Sequence, residues 1–196
     1  MALWGVTDAD EAKPKWAVRG SGVDPSNIFA TADGWVLRHY KNAAKTAYWD
    51  EILVAVDGLV DAGGRGTATL GEADITAVFF EETGYAGGAT GSVVVIYNEK
   101  VSVVTTGGTP TLQVRNTTDS ANIAATYASG SGSNRLEFTF TAAATGKAHA
   151  IQAQTIALNS GTMKDTVGAV NSDLVFVAGD VIGAGGSGST KTFTAS

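Results

Sequence analysis

Asn134–Thr141, with the sequence Asn-Arg-Leu-Glu-Phe-Thr-Phe-Thr, decides the fold class of this chain. Its apolar residues Leu136, Phe138 and Phe140 alternate with polar ones. Because successive side chains of a β-strand point to opposite faces, this alternation predicts a strand with one buried and one solvent-exposed face. A Ser-Gly-Ser-Gly run at 129–132 directly precedes the strand and predicts a turn. The segment therefore predicts a packed β-hairpin and carries no obvious chemistry.

Strand patterns recur at short intervals along the rest of the chain. Alternating or apolar runs, separated by turn-forming residues, predict strands at 35–40, 46–56, 75–80, 92–98, 110–115, 123–128, 151–156 and 173–177. The run at 92–98 is apolar at most positions, which is typical of a strand that is covered on both faces. Short strands at such spacing predict a mainly β chain with a β-sandwich architecture.

Changes in periodicity divide the chain into parts. Residues 1–33 have weak periodicity and predict an extended arm or an irregular cap, and the Gly-rich stretch at 58–72 predicts a loop or a domain boundary. Thr192–Thr194 predicts one added strand, unless the Gly/Ser-rich tail is disordered. We therefore predict an N-terminal domain with a β-hairpin at 1–72, a C-terminal β-sandwich at 73–178 and a tail or added strand at 179–196.

Composition argues against several classes of partner. The net charge is −6, and a nucleic-acid partner would require Lys and Arg to neutralise its phosphates. Cysteine is absent, which excludes a disulfide framework, a thiolate metal site and a Cys nucleophile. The sequence has neither a basic, apolar leader nor an apolar run of about 20 residues. We expect a chain that is made in the cytoplasm and has neither a nucleic acid nor a membrane as partner.

The residues that could support catalysis or bind a metal are few. His39 and His149 are the two histidines, and neither lies in a hydrolase or zinc-protease motif. The acidic cluster at 8–11 lacks the ligand spacing of a calcium loop. The Gly-rich runs at 63–67 and 183–188 lack the Lys-Ser/Thr ending of a phosphate-binding loop. We therefore predict no catalytic residue, no metal site, no cofactor and no enzymatic activity.

Apolar and aromatic residues in the front half are the candidates for partner binding. Leu3, Trp4 and Trp16 lie in the arm, and Trp35 and Trp49 lie in the hairpin. Tryptophan is enriched among the residues that contribute most to interfaces. Trp4 is either a core residue or an anchor on a partner, and the sequence leaves both interpretations open.

Four segments, Val93–Val101, Gly108–Leu112, Tyr127–Phe138 and Ile156–Asp165, occur in the order found in bacterial Ig-like domains. On these segments, residues 73–177 resemble that family, which occurs in tandem in large surface proteins. The resemblance implies a C-terminal Ig-like β-sandwich. It implies no single activity, because such domains are mostly spacers and interaction modules.

Met1–Gly5, Gly34–Arg38 and Glu51–Ala55 are similar to segments of small virion structural proteins of tailed phages, particularly cyanophages. The resemblance implies a virion protein that decorates or cements the capsid. Its partners would be the major capsid protein or other virion proteins, and a homo-oligomer is compatible with this role. A neck or tail component is one alternative. A module that binds carbohydrate or protein on the host surface is another.

Overall fold

The computed structural model describes residues 23–31, 34–55, 72–166, 169–186 and 190–196. Strands dominate these ranges, and helical structure is limited to two short 3-10 turns, Pro25–Asn27 and Ala184–Gly186. The prediction of a mainly β chain is therefore confirmed. Leu3, Trp4, Trp16, the acidic cluster at 8–11 and the Gly-rich run at 63–67 lie outside the described residues.

The described strands follow the predicted runs closely at most positions. In chain order they are β1 (Ile28–Thr31), β2 (Gly34–Tyr40), β3 (Tyr48–Ala55), β4 (Ile75–Phe80), β5 (Thr90–Val104), β6 (Thr111–Asn116), β7 (Ala121–Ser129), β8 (Ser133–Thr141), β9 (Ala148–Ile151), β10 (Gln154–Thr155), β11 (Thr162–Asp165), β12 (Val175–Phe176) and β13 (Thr192–Thr194). The added strand predicted in the tail is thus present as β13, which pairs with β9.

The largest sheet has eight strands, ordered β11-β5-β8-β7-β6-β9-β13, with β4 paired to β5. The sheet is curled, as a contact between its two ends shows: Phe193 of the edge strand β13 meets Phe80 of β4 with ring centroids 4.9 Å apart. The main core lies on the inner face of this curl and contains Leu136, Phe138 and Phe140 of β8. The alternation in β8 therefore identifies core residues correctly.

Strand β5 is buried on both faces over its central part. Val93, Val95 and Tyr97 point into the main core, whereas Val94 and Ile96 belong to a second apolar cluster on the opposite face. All five side chains have no exposed surface. This arrangement explains the continuous apolar run in the sequence and confirms that the strand is covered on both sides.

A second sheet, ordered β1-β2-β3, provides the cover on the outer face of β5. Ile28 and Ala30 of β1 and Trp35 of β2 form the second cluster together with Phe79 of β4 and Ile96 of β5. The front of the chain thus packs against strands on the far side of the predicted boundary at 72–73. That boundary stays a prediction, because residues 56–71 lie outside the described residues.

Two strands, β1 and β11, overlap no predicted strand, and β9 shares only Ile151 with the predicted run at 151–156. The arm or irregular cap predicted for 1–33 is wrong at its end, where Ile28–Thr31 forms β1 and pairs with β2. Strand β11 at Thr162–Asp165 pairs with the end of β5. Both strands have four residues, which is too short for a clear period-two signal. Each becomes a strand by hydrogen bonding to a longer neighbour, β1 to β2 and β11 to β5.

Replacing Trp35 with Ala should lower the free energy of unfolding by roughly 3–5 kcal/mol, because the lost indole leaves a cavity between the two sheets. Chemical denaturation followed by circular dichroism measures the change. Trp49→Ala is the matched control, because it removes a half-exposed indole from the same hairpin and should cost less than about 1 kcal/mol. Equal losses in the two variants would contradict this account of Trp35.

Candidate docking surface

The β2–β3 hairpin exposes three large apolar side chains. Tyr48 and Trp49 are each 49% exposed, and Ile52 is 56% exposed. We call these three residues the hairpin patch. Tyr48 and Ile52 share one face of β3 and Trp49 lies on the other, and no described strand pairs with the outer edge of β3. The patch therefore wraps around a strand edge.

Arg38 organises the face of the hairpin that carries Tyr48 and Ile52. Its guanidinium lies between two rings, 4.4 Å from the centroid of Phe29 and 3.9 Å from that of Tyr48. It also donates two hydrogen bonds to the carboxylate of Asp50, at 2.8 and 2.7 Å. The hydrogen bond to Asp50 raises the pKa of Arg38. Arg38 is thus a permanent charge that holds Tyr48 in place although half of that ring is exposed.

A second stack orients Trp49 on the opposite face. The His39 ring lies parallel to the indole, with centroids 4.1 Å apart. Its Nε2 atom is 2.8 Å from the Glu51 carboxylate. His39 is therefore a positioning residue at the surface. The contacts restrain the Trp49 side chain before any partner binds, which reduces the entropy lost on binding.

The structure separates the candidate residues named from the sequence. Trp35 is only 2% exposed and lies in the second cluster, so its indole offers no surface to a partner. Trp49 is exposed, and Tyr48 and Ile52 join it. Sequence reasoning missed the last two because it treated 46–56 as an ordinary return strand. Trp49 pairs with His39, which shares a face of β2 with Trp35, so the two tryptophans do not differ in facing. They differ in burial because Trp35 packs against β4 and β5, which are distant in the sequence.

A groove of about 390 Å³ lies between the hairpin and the turn that joins β7 to β8. Tyr40 and Lys45 of the hairpin and Phe29 of β1 line one side. Ser133 and Arg135 are among the residues that line the side of the turn. We call this space the hairpin groove.

The wall formed by the β7–β8 turn is tightly organised. Gly130 has a φ of +105°, and a Cβ at this position would collide with the carbonyl oxygen of Arg135, so glycine is required there. The Ser133 hydroxyl donates to the Gly130 carbonyl at 2.8 Å, and the Ser131 amide donates to the Tyr127 hydroxyl at 2.8 Å. The Ser-Gly run is thus a defined structural wall.

The buried Asn134 connects that wall to the front of the chain. Its side-chain amide donates to the carbonyl of Ser26 at 3.0 Å. Ser26 lies in the 3-10 turn that leads into β1. Asn134 is 6% exposed, and its amide also donates to the carbonyl of Tyr97 in β5 at 3.4 Å. The bond to Ser26 fixes the position of the front sheet relative to the turn.

His149 is a buried structural residue. Its ring stacks on Phe193 with centroids 4.5 Å apart, and its Nε2 atom accepts a hydrogen bond from the Ala143 amide at 3.0 Å. Burial lowers the pKa of His149, which favours the neutral ring in the core. No nucleophile or carboxylate is among these contacts, so they give no geometry for catalysis.

The part of the chain that the structure describes contains no group of three or more His, Cys, Asp or Glu residues that could hold a metal ion. None of its helices is long and apolar enough to cross a membrane. Searches with protein-family models, with curated proteins and with solved structures found no match to this chain. The assignment of function therefore depends on the surface itself.

The depressed pKa of His149 leads to a pH dependence of stability. As the pH falls, the unfolded chain takes up the proton before the folded one does. The contribution of His149 is therefore fully present above the unfolded pKa of about 6.5 and is lost as the pH falls through the lower folded pKa.

His149→Phe should make the free energy of unfolding less dependent on pH between about pH 7.5 and 5.5. The ring would still stack on Phe193, but the Ala143 amide would lose its acceptor, so the variant should also be less stable at neutral pH. Urea denaturation at a series of pH values measures both effects. An unchanged pH dependence would show that His149 is not the titrating group.

Proposed function

We propose that this chain is a structural protein of a phage virion, which decorates or cements the capsid by docking on the major capsid protein or another virion protein. The hairpin patch is the observation that carries the proposal. Tyr48, Trp49 and Ile52 are all about half exposed on one short hairpin. Such clustering of exposed apolar side chains is typical of protein-interaction sites.

The chemistry of the hairpin suits docking on a protein. Tyrosine, tryptophan and arginine are the residue types enriched at the centres of interfaces, and Tyr48, Trp49 and Arg38 provide one of each. The outer edge of β3 lies beside them and could pair with an extended segment of the partner through main-chain hydrogen bonds. Burial of apolar surface and strand pairing would then hold the complex together without covalent chemistry or a cofactor.

The curled sheet serves this role as a support. We propose that the curled sheet is an Ig-like module, on the resemblance carried by segments that include Val93–Val101 and Tyr127–Phe138. These segments contain the doubly buried part of β5 and the organised β7–β8 turn. A stable β module behind the hairpin would project from the capsid or clamp neighbouring subunits. The resemblance of the front segments to phage virion proteins supports a location in the virion.

Binding to the host surface is the second candidate function. The hairpin groove combines the ring of Tyr40 with polar side chains such as Ser129 and Ser133, a combination found in sites that hold sugars. A neck or tail component is the nearest structural variant of the first proposal. These alternatives differ in where the chain sits and in how many copies a particle contains.

Quantitative mass spectrometry of purified virions, combined with immunogold labelling, separates the alternatives. Decoration predicts a copy number that matches the capsid lattice and label over the whole shell. A few copies with label at one vertex would indicate a neck or tail component. Particles without the chain would contradict the proposal, and binding of the isolated chain to host cells would favour the second candidate.

Trp49→Ala and Ile52→Ser should each weaken rebinding of the purified chain to capsids that lack it by at least tenfold, if these residues are at the centre of the interface. Val177→Ser is the matched control, because Val177 is 57% exposed but lies beyond β12, outside the hairpin. Cosedimentation measures the affinities, and circular dichroism verifies the fold. Equal affinity in all three variants would show that the hairpin patch is not the docking site.

A further inference from the structure

We infer that the hairpin groove binds an acidic segment of the partner polypeptide. The inference rests on the proposed docking function and adds the chemistry of the partner. Its basis is the charge that lines the groove and the apolar surface that adjoins it.

The groove carries positive charge on a chain that is acidic as a whole. The sequence contains 13 Lys and Arg against 19 Asp and Glu, yet Lys45, Lys100 and Arg135 line the groove, and among the described residues no Asp or Glu does. Arg135 is neutralised by an ion pair with Glu81. Lys45 and Lys100 form no ion pair with any described residue. Two positive charges are therefore available to a ligand.

The geometry of the groove holds the Lys45 ammonium at its wall. The Nζ atom lies 5.1 Å from the centroid of the Tyr40 ring, within the range of a cation–π contact. Lys100 lies in a different strand, β5, and lines the same groove. An anionic segment lying in the groove would therefore contact one lysine from the β2–β3 turn and one from β5.

The side chains beside the groove favour a polypeptide over other anions. Tyr48 continues the aromatic surface from Tyr40, with ring centroids 6.3 Å apart, and Ile52 shares the face of Tyr48 on β3. A partner that covers both areas must present apolar side chains next to carboxylates. Inorganic phosphate has the charge but no apolar surface, and an acidic sugar has no aliphatic side chain to cover Ile52.

A short fluorescent peptide in which Glu alternates with Val tests the inference, with fluorescence anisotropy on the purified full chain. We expect it to bind more tightly than the same peptide with Gln in place of Glu, and binding should weaken as salt is added. Exposed ion pairs contribute modestly, so removing each lysine should weaken binding by roughly twofold to fivefold. The double variant Lys45→Gln/Lys100→Gln should therefore lose most of the preference for Glu over Gln.

Lys191→Gln is the matched control, because it removes one positive charge next to β13 without touching the groove. Binding of this variant should equal that of the unmodified chain. An equal loss in the control and in the groove variants would mean that only net charge matters, which overturns the inference. Failure of the Glu peptide to bind, or complete displacement by polygalacturonate or inorganic phosphate at equal charge concentration, overturns it as well.

These results can be separated from a failure of the proposed function. If the peptide does not bind but Trp49→Ala and Ile52→Ser still lose affinity for capsids, the docking site stands and the groove assignment is wrong. If those two variants keep full affinity for capsids, the docking proposal itself is wrong.

Discussion

The side chains of the central part of β5, Val93–Tyr97, are covered on both faces, and the other features of the molecule depend on this double burial. Val93 and Val95 point into the core of the curled sheet, and Val94 and Ile96 are covered by Trp35 and its neighbours. Burial of apolar surface contributes about 25 cal/mol for each Å² removed from water. A strand that contributes to two cores therefore joins the front sheet to the curled sheet far more firmly than a linker would.

This join determines where the docking surface lies. With Trp35 buried at the root of the hairpin, the same two strands extend outward and expose Trp49 near the other end. The hydrogen bond from Asn134 to Ser26 then fixes the front sheet beside the β7–β8 turn, and the space between them is the hairpin groove. One end of the hairpin is thus buried and carries Trp35, and the other end is exposed and carries Trp49.

Much of the fold is readable from the sequence, because it depends on local alternation. Leu136, Phe138 and Phe140 are core residues, as the pattern of β8 predicts. The docking surface is less predictable. Whether Trp35 or Trp49 is buried depends on which end of the hairpin packs against β4 and β5, and that packing leaves no signal in nearby residues. The groove likewise joins Lys45 to Lys100, which lie far apart in the sequence and meet only through the packing of β1 on β5.

Native-state hydrogen exchange tests most directly whether β5 unites the two sheets. The account predicts that the hydrogen-bonded amides of β1 and β2 exchange with the same free energy as those of β8, because all of them open only when the chain unfolds globally. As denaturant is added, the opening free energies of the amides in the three strands should converge on one common line. If β1 and β2 opened several kcal/mol more easily than β8, the front sheet would be an independent layer and the central claim would be wrong.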